Sequence, residues 1–226
     1  MAVGVVVVLV VVFVLPTPRT QPTAIRTLPE VHTIAPEGAI RPDWPSWHSI
    51  YVDFRTWAPF GGVDARFADN GRSVVLDTHD TVDTWQTKWS GLIDQGTPMC
   101  EFRINGKVRS VSHRAGVPGG FAIGLTALGA GEPTPAVLTG TGVQFDFGFN
   151  GFRVARYPDD SGQSVAVGPL DNEWHRIEVA IGPAAHTLIV DGMPALQTPG
   201  SGQCGTPTLR VWAGAAEFAD FSFQPV

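Results

Sequence analysis

Clustered carboxylates, tryptophans and one pair of cysteines are the residues of this chain whose types and spacing can do chemistry. Asp77, Asp80 and Asp83 stand at three-residue intervals around His79, in Asp77-Thr78-His79-Asp80-Thr81-Val82-Asp83. A hard cation needs several carboxylate oxygens, and proton transfer needs a carboxylic acid beside a base. This segment therefore offers a loop cation site or an acid/base pair such as Asp77/Asp83. An acidic, solvated connection between strands has the same composition. The other histidines, including His48, His113, His175 and His186, lack a second ligand at metal spacing, and no G-x-S-x-G elbow presents a nucleophilic serine.

The seven tryptophans are Trp44, Trp47, Trp57, Trp85, Trp89, Trp174 and Trp212. An exposed indole stacks on a sugar ring, whereas a buried one is the largest plug a β core can hold. Trp174 and Trp212 fall in the strongest strand patterns and are expected in the core. Trp85 and Trp89, four apart, share a strand face as a platform or as a core wall. Trp44, Trp47 and Trp57 precede the regular pattern and are the candidates for exposed stacking. Arg153 and Arg156 beside Tyr157 add a polar rim or a solvated strand face.

Cys100 and Cys204 permit one disulfide if the chain is exported, or two buried thiols if it is not. Residues 2–15 form an unbroken, valine-rich apolar run ended by Pro16 and Pro18. As a helix it spans ~21 Å, short of the ~30 Å hydrocarbon core. Signal peptide, short membrane anchor and buried strand all fit, and the first two place the protein outside the cell or on its envelope. If uncleaved, residues 2–15 would hold the chain to a membrane. No Lys or Arg precedes the run, and Arg19, Arg26 and Arg41 follow it, an arrangement unusual for a translocated flank. Residues 1–18 are thus read as signal or anchor, and 19–44, with Pro22, Pro29, Pro36 and Pro42, as an extended linker. Only 16% of residues are charged, the net charge is −6, and the few Lys and Arg are scattered, so nucleic acid is excluded as a partner.

Positioning those residues falls to residues 45–226. Short runs rich in Val, Phe, Ile and Trp recur there between Gly, Pro, Asn and Asp. Strands are predicted at 48–54, 72–77, 84–89, 100–105, 108–113, 120–126, 142–147, 151–156, 174–181, 186–190, 207–212 and 216–223. Asn105-Gly106, Asn150-Gly151 and Asp191-Gly192 read as hairpin turns, because both turn positions favour φ > 0. Ile177, Val179 and Ile181 alternate with Glu178 and Ala180, as one half-buried strand should. No stretch after residue 16 sustains a helical period. The predicted fold is all-β, a two-sheet antiparallel jelly-roll sandwich with an N-terminal hydrophobic helix outside it.

Asn172-Glu173-Trp174-His175-Arg176-Ile177-Glu178-Val179, followed by Thr187 to Gly192, resembles the paired strands of laminin-G-like and related concanavalin A-like domains. Gly119 to Leu125 and Val143-Gln144-Phe145-Asp146 are similar to two strands of legume-type lectins, and Ala216 to Phe221 to the last strand of such sandwiches. The resemblance covers about residues 85–226 and implies a lectin/glucanase jelly roll without choosing among its functions.

In glucanases of this fold, E-x-D-x-x-E on a central strand supplies the retaining carboxylate pair. The matching residues here are Gln144, Asp146 and Phe149. Glutamine neither ionises nor delivers a proton, so that chemistry is expected to be absent. The resemblance to lectins implies a Ca²⁺ site from Asp146, Asn150 and Asp159, weakened by Gln144, or else no cofactor at all. These readings together imply a non-catalytic module, secreted or on the cell envelope. It would bind a polysaccharide, surface glycan or protein by stacking on a concave sheet face or in end loops. The rivals are a hydrolase or lyase using Asp77/Asp83 or Asp146/Glu178, and a structural surface or virion protein.

Overall fold

Alternation along each strand decides what is buried. In Phe102–His113, Phe102, Ile104, Val108 and Ser110 point inward, while Arg103, Asn105, Lys107 and Arg109 point out. The computed structural model describes residues 50–79, 90–113, 119–127, 139–146, 151–157, 164–166, 172–200 and 204–225. In chain order the strands are β1 (Ile50–Tyr51), β2 (Ala58–Phe60), β3 (Asp64–Ala68), β4 (Ser73–Asp77) and β5 (Ser90–Ile93). There follow β6 (Phe102–His113), β7 (Gly120–Ala127), β8 (Thr139–Asp146), β9 (Gly151–Tyr157) and β10 (Ser164–Ala166). The last are β11 (His175–Ile181), β12 (Ala185–Val190), β13 (Met193–Pro199), β14 (Thr206–Trp212) and β15 (Gly214–Pro225). Residues 1–18, the linker 19–44 and the predicted strand 84–89 lie outside the described residues.

Two antiparallel sheets result. The eight-stranded sheet runs β13-β12-β11-β6-β15-β4-β3, with β1 also paired to β15; the seven-stranded sheet runs β10-β9-β8-β7-β14-β5-β2. Between them lies one core. Phe102, Ile104, Val108, Ile177, Val179 and Phe218 from the first sheet face Phe121, Ile123, Val143, Phe145, Phe152 and Leu209 from the second. Phe121, Phe145 and Phe152 form an aromatic nucleus with centroids 5.0–6.4 Å apart, the offset and edge geometry that ring quadrupoles favour.

One predicted hairpin is corrected. Asn105-Gly106 is no turn: β6 runs through it to His113, in register with β11 on one side and β15 on the other. The glycine answers a packing demand. A Cβ at Gly106 would overlap the ring of Phe221. Phe221 reaches that space because β15 bulges opposite it: Ala219 pairs with Lys107 and Ser222 with Asn105, so two residues oppose Gly106. Asp220 takes the left-handed conformation (φ 55°) that the bulge requires. Asp191-Gly192 does turn, with φ 51° and 79° between paired Val190 and Met193. Residues 147–150 lie outside the described residues, although Asp146 and Gly151 are antiparallel partners.

The pattern missed β2, β3, β5, β10 and β13. β13 carries Pro194 and Pro199, tolerated because it is the outermost strand of its sheet. Cys100 and Cys204 are joined, beside a bridge in which Met99 and Gly205 exchange backbone hydrogen bonds of 2.8 and 2.9 Å.

Candidate functional site

The outward face of the seven-stranded sheet holds the central-strand residues. Gln144 on β8 is in register with Arg153 on β9 and Ala122 on β7, and Ala122 with Arg210 on β14. The Arg210 guanidinium lies 5.6 Å from the ring centre of Trp212. That indole in turn covers Gly120, where a Cβ would meet its Cζ2 and the Phe145 carbonyl. Gln144, Arg210 and Trp212 are 3%, 4% and 4% exposed, so this stretch is not an open groove. Its described side chains carry amide and guanidinium groups and no carboxylate pair. Asp146 is a register partner of Gly120 and Gly151. Asn150 and Asp159 lie outside the described residues. Among the described residues no three His, Cys, Asp or Glu gather as a metal-ligand set.

The outward face of the eight-stranded sheet carries exposed side chains among the described residues. Trp174, just before β11, is 37% exposed, and the Arg109 guanidinium stacks 4.8 Å from its centre. Arg109 is fixed in turn: its Nε and Nη2 donate to Glu217 Oε2 at 2.7 and 2.6 Å, and Ser73 Oγ donates to Glu217 Oε1 at 2.8 Å. A forked donor on a largely buried carboxylate is a rigid mount for an indole. Three residues along β15, the bulge turns Asp220 to this same side. It accepts from Lys107 Nζ and Arg72 Nη2, each at 2.7 Å, and Arg72 stacks 4.7 Å from the ring of Tyr51, which is 60% exposed. The Lys107 hydrogen bond, more than partial burial opposes it, holds the Asp220 carboxyl below its ordinary range.

Beside Trp174, His175 Nδ1 lies 2.9 Å from Asp191 Oδ2, and the Arg176 N–H donates to Asp191 Oδ1 at 2.8 Å. Burial alone would raise the Asp191 carboxyl; the His175 and Arg176 hydrogen bonds bring it down instead. The pair locks the β12–β13 turn onto the start of β11.

The predicted residues separate as follows. Trp57, expected to be exposed, is buried at 5% against Phe54, edge to face at 5.5 Å, and leaves no ring face for a sugar. Trp174, expected in the core, is at the surface; Trp212 is buried, but on the outer side of its sheet with Ala122 and Ala213. Counting back from inward Ile177 by twos reaches His175, which puts Trp174 on the outward face. That signal was present in the sequence. Trp44, Trp47, Trp85 and Trp89 lie outside the described residues; Arg153 sits beside Gln144, and Tyr157 pairs with Gly140 in register. Asp146 and Glu178 belong to strands of different sheets. Asp77 is bridged by Arg66 (3.3 Å), which also holds Asp64 (2.8 Å), and His79 Nε2 adds a 3.2 Å contact to Asp64. The Arg66 guanidinium is already shared between these two carboxylates. Asp80 and Asp83 lie outside the described residues.

One titratable group sits between the sheets. His186 on β12 is 1% exposed, with Nε2 3.5 Å from Thr141 Oγ1. Burial, aided by the Arg156 charge, pushes its pKa below the ordinary 6.5. The folded protein resists a proton that the unfolded chain accepts near pH 6.5. Stability should therefore be level above that pH and fall below it, by at most about 1.4 kcal/mol per pH unit. Urea unfolding at pH 7.5 and 5.5 should show this difference, and His186→Gln should remove most of it.

No protein-family model matches the sequence, and no curated protein matches it. Solved structures do. The carbohydrate-binding module CBM66 from Bacillus subtilis superposes with a TM-score of 0.52 at 10% identity, over 75% of this chain and 95% of that one. The Emp47p carbohydrate recognition domain gives 0.55 at 16% identity, over 75% and 88%. The Bacillus licheniformis β-glucanase gives 0.54 at 12% identity, over 79% and 98%. The chain thus has the concanavalin A-like lectin/glucanase fold, which its motifs resembled, and at these identities the likeness speaks for the fold alone.

Proposed function

We propose that the domain is a non-catalytic glycan-binding module of an exported protein. The observation that carries this is Trp174: a half-exposed indole mounted on Arg109, itself held by Glu217 and Ser73. A rigid aromatic face loses little entropy when a sugar ring stacks on it, and hydrogen-bond donors flank it for the hydroxyls. Gln144 at the central-strand position argues against glycosidic cleavage, since an amide cannot deliver a proton. The Cys100–Cys204 disulfide supports an oxidising compartment, and the carbohydrate-binding neighbours favour a glycan over a protein as ligand.

The purified protein should bind members of a glycan array without releasing reducing ends. Trp174→Ala should weaken that binding at least tenfold, about 1.4 kcal/mol, while the far-ultraviolet spectrum stays unchanged. Release of reducing ends or unsaturated products would favour the hydrolase or lyase. Stable multimers without sugar binding would favour a structural assembly.

A further inference from the structure

β15 carries two carboxylates on its open side, and each holds an arginine beneath a surface aromatic. Glu217 holds Arg109 under Trp174, and Asp220 holds Arg72 under Tyr51. Strand alternation would send residues three apart to opposite faces; the bulge between Ala219 and Ser222 restores them to one. The register fixes how far apart the two rings stand. Trp174 precedes His175, the partner of Val108, and so lies opposite Arg109; Tyr51 lies opposite Ser222, which pairs with Asn105. Four residues along the strands and three strand spacings across them separate the rings by ~20 Å.

We infer that this face is a two-platform site for an extended, uncharged polysaccharide, with Trp174 and Tyr51 stacking on sugar rings several units apart along one chain. The inference rests on the glycan-binding reading above and adds the size and charge of the ligand. A disaccharide cannot reach both rings. Each cation between them already holds a carboxylate: Arg109 holds Glu217, Lys107 and Arg72 share Asp220, and Arg176 lies 3.5 Å from Glu178, so only a small positive excess remains. A polyanion would have to break those pairs, whereas hydroxyl groups can use the remaining donor and acceptor positions. Two weak subsites on one rigid sheet gain from effective concentration when one chain occupies both.

Calorimetric titration of the full chain with two-unit and six-unit cello-, laminari- and xylo-oligosaccharides, and with polygalacturonate, tests this. One six-unit neutral series should bind at least tenfold tighter than its two-unit member. Tyr51→Ala should bring the six-unit affinity down to the two-unit level, and Tyr51→Phe should keep it. Trp174→Ala should also abolish the length dependence, with thermal melting confirming that each variant is folded. Equal affinity for short and long sugars, or no effect of Tyr51→Ala, overturns the two-platform site while leaving glycan binding intact. Stronger binding of polygalacturonate overturns the uncharged ligand. Failure of every sugar to bind overturns the glycan reading itself, and this inference with it.

Discussion

Replacing both Cys100 and Cys204 by serine is expected to lower the unfolding midpoint by about 10–20 °C. The link joins positions 104 residues apart. In the chain-entropy picture such a loop takes ~4.7 kcal/mol of freedom from the unfolded chain, and a domain of this size shifts by roughly 2–4 °C per kcal/mol. The link also has a structural place. Cys100 stands just before β6 of one sheet and Cys204 just before β14 of the other, beside the Met99–Gly205 bridge. It therefore staples the two sheets at one end. Calorimetry of the double variant, and of the native chain under reductant, should agree. A shift below about 3 °C would mean that the unfolded chain is already constrained in this region.

Gly106→Ala should cost about 1–3 kcal/mol or more, the usual range for overpacking a filled core. The added methyl has nowhere to go. Phe221 occupies its place and is itself wedged against Phe54 and Phe218, at centroid distances of 5.6 and 6.0 Å. Shortening that ring should relieve the clash. In a double-mutant cycle with Phe221→Leu, the two changes together should cost less than their sum, with a coupling of about 0.5–3 kcal/mol. Strict additivity in urea unfolding would show that the two residues do not share the space.

How far the sequence disclosed this molecule depends on which physical signal each part left. Strands with one buried face, such as Ile177, Val179 and Ile181, were legible because alternation is local. So was the Asp191-Gly192 turn, since its chemistry lies in two residues. Asn105-Gly106 has the same dipeptide signature and no turn, because the partner that requires the glycine, Phe221, lies far away in sequence. The same non-locality hid the candidate site. Nothing near Arg109 or Arg72 announces Glu217 or Asp220, and only the register of β6, β15 and β4 brings them together. Trp57 misled because the two-residue β1 and the 3₁₀ turn after it give too short a period to tell inside from outside. On the central strand, the substitution at Gln144 was readable; the burial of its face, set by what packs around it, was not.

β15 is the last strand of the sandwich to be synthesised, and it fills the gap between β6 and β4 while also receiving β1. Until Gly214–Pro225 arrives, the eight-stranded sheet is two fragments, β13-β12-β11-β6 and β4-β3, and β1 lacks the strand it pairs with. Its pairings are almost wholly long-range, which makes closure late and slow. The eight-stranded sheet built this way is complete only when β15 is inserted. The position of that strand in the sequence acts as a timer for closure of the sheet.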